Sequence, residues 1–263
     1  LLKITYSKLN SEEKIIIDEI EKAKKEDLAA SVQTWLEEHI KNYILKNKIK
    51  NTKNLVLAGG TFLNCVLNSK LKKKYFENVF IQPAAGDSGI ALGAAILANT
   101  NIPLEKMNHT YFGPEFDNKY IEKMLKNKKI EYIKSDEIQA AKLIAKGNIV
   151  AWFQGKMEFG PRALGNRSIL ANPSNLKTKE RLNDEVKHRE SFRPYAASIL
   201  IEEMDDYFED SCPSPFMTMA FQVKKDKRKT VPTIVHIDGS SRVQSVDKKT
   251  NLKYHNLISE FFK

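Results

Sequence analysis

Apolar residues recur at helical spacing in the first fifty residues. Residues 11–24 and 26–47 each predict a helix, because their apolar side chains repeat every three or four positions. In the second segment this spacing places them on one face, which we expect to be buried. His39 lies on that face, and we interpret it as a packed histidine rather than a metal ligand.

The pattern changes at Asn54. The run NLVLAGG is apolar and ends in two glycines, which is typical of a buried strand followed by a tight turn. TFLNCVLNSKLKKKY then predicts a helix, NVFIQP a second strand, and IALGAAILAN another helix. Strands that alternate with helices indicate an α/β layer.

A second alternation follows residues 100–116, where Pro, Gly and aromatic residues interrupt the pattern. We predict a domain boundary near residue 110. The elements predicted after it are helices at 117–128, 136–146 and 176–187, strands at 130–134 and 148–153 and in SILAN and YAASILI, and a terminal helix after FMTMAFQV and TIVHIDGSSRVQSV.

The composition is that of an ordinary globular protein. Of 263 residues, 41% are hydrophobic and 29% charged, enough for one large or two small domains. The net charge of +10 fits a nucleic-acid binder, but the lysines are scattered over nearly every segment, which favours a lysine-rich surface. Two cysteines, no signal peptide and no apolar run of membrane-spanning length predict a cytoplasmic location. Because the chain lacks an initiator Met and stops within an amphipathic stretch, we interpret it as an internal fragment.

The arginines are confined to the second part of the chain. No Arg precedes Arg162, and seven occur from there onward: Arg162, Arg167, Arg181, Arg189, Arg193, Arg228 and Arg242. Lys is a flexible point charge, whereas Arg is a planar fork that matches two oxygens of a carboxylate or phosphate. This distribution predicts an anion site between residues 156 and 242.

The loop 154–168 has the composition of a phosphate-binding loop without the spacing of a P-loop. Glycines allow the backbone to turn tightly and approach a ligand, and basic and hydroxyl side chains surround them. The residues concerned are Gly155, Lys156, Gly160, Arg162, Gly165, Arg167 and Ser168. A surface loop whose arginines pair with Glu158 is the alternative.

Three further stretches contain candidate residues, and two of these residues, Asp238 and Asp87, have two interpretations each. In VKHRESFRPYAAS, Arg189 and Arg193 are four residues apart, and we expect Glu190 to hold one guanidinium. Asp238 in HIDGSSRVQ is either a turn builder or part of a ligand-contacting loop. Asp87 in AAGDSG is either a helix N-cap or a metal-binding or catalytic carboxylate, and the residues alone favour the cap.

Four stretches together closely resemble the O-carbamoyltransferases that modify nodulation factors and antibiotics. They are LAGGTFLNCVLNSKL, IQPAAGDSGIALGAA, HIDGSSRVQSV and the long block from GKMEFGPRALGNRSIL to FRPYAASIL, and the resemblance covers nearly all of residues 54–254. It implies an α/β protein of two domains. Residues 1–108 would be the second half of an actin-like ATPase domain of the threonylcarbamoyl-transferase kind. Residues 110–263 would be a YrdC-like domain that continues beyond Lys263.

The resemblance also implies the chemistry. The YrdC-like domain would make carbamoyl-adenylate from carbamoyl phosphate and ATP with Mg²⁺, and the actin-like domain would move the carbamoyl group to an acceptor hydroxyl of a sugar-containing or secondary metabolite. The residues implied as catalytic are Lys156, Arg162 and Arg193, and those implied to bind substrate or nucleotide are Gly59, Gly60, Asn64, Arg167, Ser168, Arg189 and Arg242.

Asp87 matches the aspartate that, in this family, holds a divalent metal such as iron together with two histidines. The five histidines of this chain include no HxxxH pair, so we expect the paired histidines upstream of Leu1. Two other functions stay open: a tRNA threonylcarbamoylation enzyme and a basic nucleic-acid-binding module. The arginines cluster with glycines rather than aromatic residues, which favours small anionic substrates over nucleic acid.

Overall fold

The computed structural model describes residues 10–48, 51–99 and 105–263. The chain divides after Thr52 into two compact units, Leu1–Thr52 and Lys53–Lys263. The boundary predicted near residue 110 lies within the second unit and stays a prediction.

The first unit contains the two predicted helices, α1 (Ser11–Lys22) and α2 (Lys25–Lys46). The expectation of a buried face on α2 is wrong for the described residues, because Val32, Trp35 and Tyr43 are each more than 60% exposed. His39 is exposed as well, and its ring stacks on that of Trp35 with the centroids 5.0 Å apart.

The second unit begins with the predicted strand–helix–strand–helix order. Strand β1 (Asn54–Leu57) pairs in parallel with β2 (Asn78–Ile81), with Asn54 opposite Asn78. A 3₁₀ turn at Gly60–Leu63 and helix α3 (Cys65–Lys74) connect the strands, and α4 (Gly89–Ala98) follows β2. The glycine turn after β1 and the loop after β2 therefore lie at the same end of this parallel pair.

The later elements form two more small sheets. Strand β3 (Val150–Phe153) pairs antiparallel with β4 (Arg167–Leu170). In the other sheet, β7 (Ser240–Val246) is the central strand, parallel to β5 (Ala197–Leu200) and antiparallel to β6 (Ala220–Gln222). The helices are α5 (Asn118–Asn127), α6 (Glu137–Ala145), α7 (Leu176–Arg181), which continues as a π-helix over Leu182–Lys187, α8 (Met204–Tyr207) and α9 (Leu252–Phe262).

The strand predicted at 130–134 is wrong. The backbone there is irregular and pairs with no described strand, and Ile133 is 87% exposed. An isolated extended segment leaves its backbone groups to water, so alternating apolar residues are insufficient to make a strand where no partner is in reach.

Helix α3 is hydrogen-bonded to the three-stranded sheet and to the segment that leads into it. The buried Asn68 donates from Nδ2 to the carbonyl oxygens of Phe62, at 2.8 Å, and Thr218, at 2.9 Å. The backbone N–H of Ala220 on β6 donates to Ser69 Oγ at 2.8 Å. These bonds hold α3 next to β6. The whole is a mixed α/β arrangement, and no helix in the described ranges is long and apolar enough to span a membrane.

Candidate anion-binding site

A buried carboxylate organises the loop between β3 and β4. The Glu158 side chain is fully buried, and its Oε1 accepts from three backbone N–H groups: Leu164 at 2.6 Å, Asn166 at 2.9 Å and Arg167 at 3.2 Å. Its Oε2 lies 3.7 Å from Arg167 Nε. The alternative that loop arginines pair with Glu158 is therefore correct for Arg167.

A chain of amide side chains fixes the two ends of the loop. Gln154 Nε2 donates to Asn166 Oδ1 at 2.9 Å and to Asn251 Oδ1 at 2.7 Å. Asn251 Nδ2 donates to Tyr111 Oη at 2.9 Å, and Tyr111 Oη donates to the Leu164 carbonyl oxygen at 3.0 Å. Sequence reasoning missed this network, since its members are up to 140 residues apart and carry no charge.

Two of the loop glycines are required by packing. Gly165 has φ +102°, and a Cβ atom there would lie 2.2 Å from Cδ1 of Tyr254. Gly160 has φ +104°, and a Cβ atom there would lie 3.2 Å from Cβ of Ala84, in the loop after β2. Glycine thus lets the loop contact both the ring of Tyr254 and the neighbouring loop.

Two arginines, Arg162 and Arg189, lie within electrostatic range of a third, Arg242. Burial lowers the pKa of Arg242, and the positive charges of Arg162 and Arg189 lower it further. Arg162 Nη2 reaches the Leu63 carbonyl oxygen at 3.5 Å, just before the first turn of α3. Burial raises the pKa of the Cys65 thiol at the start of that helix, and the charges of Arg242 and Arg162 oppose the rise. We call Arg162, Arg189 and Arg242 the arginine cluster.

The arginine cluster lacks acidic partners. Within the described ranges, no carboxylate oxygen lies within 4.0 Å of a guanidinium nitrogen of these three side chains. Arg242 Nε is also buried without a hydrogen-bond partner among the described atoms. Like charges that are partly withdrawn from water and left without a counter-charge favour the binding of an anion.

The position of Arg189 depends on the π-helix that precedes it. His188 ends this helix in the left-handed conformation, with φ +47°. Arg189 Nε donates to Asn183 Oδ1 at 3.1 Å, Nη2 donates to the Pro194 carbonyl oxygen at 3.2 Å, and the guanidinium carbon lies 4.3 Å from the centroid of the Tyr195 ring.

The other sequence-predicted loop residues have different surroundings. Arg193 is exposed and pairs with Glu190 at 3.7 Å, as expected for one of the two guanidinium groups near Glu190. Ser168 Oγ accepts from the backbone N–H of Gly165 at 3.0 Å, so it supports the turn. Lys156 has an exposed side chain, and its carbonyl oxygen accepts from Asn166 Nδ2 at 2.7 Å.

The residues predicted from the first half lie at the carboxyl ends of β1 and β2. The backbone N–H of Gly59 donates to the Ala85 carbonyl oxygen at 2.7 Å, and Gly60 starts the 3₁₀ turn. Asn64 caps α3, because its Oδ1 accepts from the backbone N–H of Leu67 at 3.1 Å. These contacts give Asn64 a structural role whether or not it also touches a nucleotide.

Asp87 does not cap α4. That helix begins at Gly89, its N-cap is Ser88, and no side-chain cap bond is formed there. The N-cap interpretation of Asp87 is therefore wrong, and its exposed carboxylate stays a predicted metal ligand. The described residues do not supply a complete site, because no three His, Cys, Asp or Glu side chains among them are grouped to hold a metal ion.

Asp238 is a turn builder, as one of its two interpretations predicted. Its Oδ1 accepts from the backbone N–H of Ser240 at 2.9 Å and from Ser240 Oγ at 2.7 Å. Arg228 supports the same turn, since its Nε donates to the Val223 carbonyl oxygen at 3.0 Å and its guanidinium packs against Gly239.

Comparison with known protein families gives two matches. The model described as carbamoyltransferase N-terminus matches residues 2–96, and the model described as carbamoyltransferase C-terminus matches residues 141–263. The chain belongs to the carbamoyltransferase family. Its arginine cluster lies in the C-terminal match, and Leu63 and Cys65 beside it lie in the N-terminal match.

Similar proteins include both named and uncharacterised ones. An uncharacterised protein of Methanocaldococcus jannaschii is 42% identical over 257 residues, covering 92% of this chain and 42% of that protein. Nodulation protein NolO of Bradyrhizobium diazoefficiens is 40% identical over 252 residues, covering 90% of this chain and 46% of that protein. The 3′-hydroxymethylcephem-O-carbamoyltransferase of Amycolatopsis lactamdurans is 37% identical over 212 residues, covering 79% and 39% respectively. The chain thus spans less than half the length of these relatives.

Proposed function

We propose that the arginine cluster binds the phosphate groups of carbamoyl phosphate and ATP, and that the protein uses them to form carbamoyl-adenylate. Water cleaves carbamoyl phosphate to carbamate and inorganic phosphate, and a carbamate oxygen then attacks the α-phosphorus of ATP and displaces pyrophosphate. The observation that carries this proposal is that Arg162 and Arg189 both lie within electrostatic range of the half-buried Arg242, and that none of the three has an acidic partner among the described residues. Guanidinium groups bind phosphate oxygens in pairs, and fixed donors stabilise negative charge that develops during the reaction.

The exposed cations of the same region have a supporting role in this proposal. Lys156 and Arg193 are both exposed, and Arg193 would exchange its contact with Glu190 for a bound nucleotide. Together they would neutralise the outer phosphates with Mg²⁺. Arg167 and Ser168 act mainly on the loop, since Arg167 faces Glu158 and Ser168 accepts from Gly165.

In the second step we propose that the carbamoyl group passes to an acceptor hydroxyl. The relative from Amycolatopsis lactamdurans bears the name of an O-carbamoyltransferase, which supports this kind of transfer. Gly59, Gly60 and Asn64 would contact a nucleotide, and Asp87 would supply one ligand of a divalent metal such as iron. The domains would be actin-like over residues 1–108 and YrdC-like over 110–263. The two family models match residues on either side of this proposed boundary, which supports it.

A conservative substitution in the arginine cluster tests the first step. Arg162→Lys keeps the charge but loses the fork, so the affinity for carbamoyl phosphate or ATP should fall about tenfold to a hundredfold. Arg181→Lys is the matched control, because Arg181 is exposed and pairs with Glu185 at 3.3 Å.

The measurements are titration calorimetry with each ligand and pyrophosphate release with and without carbamoyl phosphate. Unchanged affinity of Arg162→Lys for both ligands, in a protein that binds them, would place the anion site elsewhere. Pyrophosphate release that does not depend on carbamoyl phosphate would contradict the adenylate step.

A further inference from the structure

Asn183 contacts Arg189 with both its side chain and its backbone. Asn183 Oδ1 accepts from Arg189 Nε at 3.1 Å and from Tyr195 Oη at 2.8 Å, and the Asn183 carbonyl oxygen accepts from the backbone N–H of Arg189 at 3.3 Å. Because an arginine Nε only donates, the atom facing it must be the amide oxygen. The orientation of the Asn183 amide is therefore fixed by its partner.

The guanidinium of Arg189 is restrained on several sides. Asn183 holds Nε, the Pro194 carbonyl oxygen holds Nη2, and the ring of Tyr195 packs against the guanidinium carbon at 4.3 Å. Tyr195 is itself held by Asn183, so the two side chains form one support. An arginine that is immobilised before binding loses less conformational freedom when it meets its ligand.

The environment of Asn183 indicates a role other than stabilising the fold. The residue is 2% exposed, and its Nδ2 is buried without a hydrogen-bond partner among the described atoms. An unpaired buried donor opposes folding, and an apolar side chain of similar size would avoid that cost. The contribution of Asn183 therefore lies in its oxygen, which faces Arg189 and Tyr195. Its place within a π-helix fits this, because such helices occur frequently at functional sites.

We propose that Asn183 and Tyr195 are positioning residues of the anion site: they fix the guanidinium of Arg189 in advance and act on the ligand only through it. This inference rests on the proposed function, since it takes the arginine cluster as the place where phosphate groups bind. The sequence motif shows Arg189 but gives no sign of its support, because Asn183 and Tyr195 are six residues to either side of it.

A double-mutant cycle separates positioning from general stabilisation. We expect Asn183→Ala and Arg189→Ala each to weaken the affinity for inorganic pyrophosphate by about tenfold. A loss of this size corresponds to the free energy of one hydrogen bond to a charged group. In the Arg189→Ala protein, Asn183→Ala should cause no further loss, because its effect passes through the missing guanidinium. Losses that multiply in the double variant would show that Asn183 acts on the fold and would overturn the inference.

A second pair of variants keeps the inference testable if Asn183→Ala fails to fold. Tyr195→Phe retains the ring and should bind pyrophosphate within about twofold of the wild type, whereas Tyr195→Leu loses the ring and should bind several-fold more weakly. Equal affinity of the two variants would overturn the inference. Thr233→Val is the structural control, since it removes a buried hydrogen bond of 2.8 Å to the Pro173 carbonyl oxygen.

The two proposals fail in different ways. The proposed function, and this inference with it, would be overturned if the wild-type protein bound neither pyrophosphate nor carbamoyl phosphate. The same holds if the Arg189→Ala variant bound pyrophosphate with wild-type affinity. A weakened Arg189→Ala variant beside an Asn183→Ala variant of full affinity would overturn the positioning role alone.

Discussion

Replacing Glu158 with Ala should be one of the most destabilising single changes in the loop between β3 and β4. The substitution removes the carboxylate oxygen that accepts from the backbone N–H groups of Leu164, Asn166 and Arg167 at 2.6 to 3.2 Å. A buried donor left unpaired costs about 1–3 kcal/mol. Three such donors sum to about 3–9 kcal/mol, and water entering the vacated space offsets part of this. We expect a loss of about 3–5 kcal/mol in the free energy of unfolding.

Glu158→Gln is the matched control. Its amide oxygen can still accept from the three N–H groups, but its NH₂ group replaces the oxygen that lies 3.7 Å from Arg167 Nε. Two donors then face each other, and the lost charge weakens the remaining bonds, so we expect a smaller loss of about 1–2 kcal/mol.

Urea denaturation followed by circular dichroism measures both losses, and pyrophosphate titration of the folded variants measures the effect on the site. Because the bonds from Glu158 define the loop that carries Arg162, the affinity should fall with the same ranking as the stability. A loss below about 1 kcal/mol for Glu158→Ala would refute the reasoning, since three unpaired buried donors could not cost so little.

Three more outcomes follow from the same structure. Gly165→Ala should lower the free energy of unfolding, measured by thermal denaturation, by several kcal/mol, because its Cβ would lie 2.2 Å from the ring of Tyr254. Gly147→Ala, with no atom within 4 Å of its Cβ, should lower it by about 1 kcal/mol, and equal losses would contradict the packing role of Gly165. In a Cys212→Ser background, pyrophosphate should slow the alkylation of Cys65 in proportion to ligand occupancy, and an unaffected rate would place the anion away from this thiol. In a protein that also carries the expected upstream histidine pair, Asp87→Ala should abolish metal retention and carbamoyl transfer while pyrophosphate release survives, so a full metal content in that purified variant would reject Asp87 as a ligand.

The periodicity of the chain predicted most elements but not their pairing. Helices α6 and α9 have clear apolar faces, and the structure packs these together around Ile144 and Leu257. Segment 130–134 shows the limit of this reasoning, because its residues are strand-like but no described strand pairs with it. A segment forms a strand only when a second segment pairs with it, and the sequence of the first segment does not show which segment will pair.

The arginine cluster was predictable as a region but not as a set of residues. The confinement of arginine to residues after 161 indicated the region in which the cluster lies, and the binding of an anion there stays a prediction. Three of the seven arginines, however, have acidic partners: Arg167 faces Glu158, Arg181 faces Glu185 and Arg193 faces Glu190. Arg228 supports a turn instead, since it donates to the Val223 carbonyl oxygen. The spacing of these residues along the sequence does not distinguish them from Arg162, Arg189 and Arg242. The difference depends on which acidic groups the fold brings near each arginine.

The unequal distribution of partners is itself an argument about function. The chain has 33 acidic residues, and several of them stand beside arginines of the same region, so acidic groups were accessible to this surface. A partly buried cation without a counter-charge opposes folding, and three that repel one another oppose it further. An arrangement that served stability alone would pair these side chains with carboxylates, as it does Arg167 with Glu158. The arginine cluster is stabilised instead when an anion supplies the missing charge, and that dependence on an external anion is what a phosphate-binding site requires.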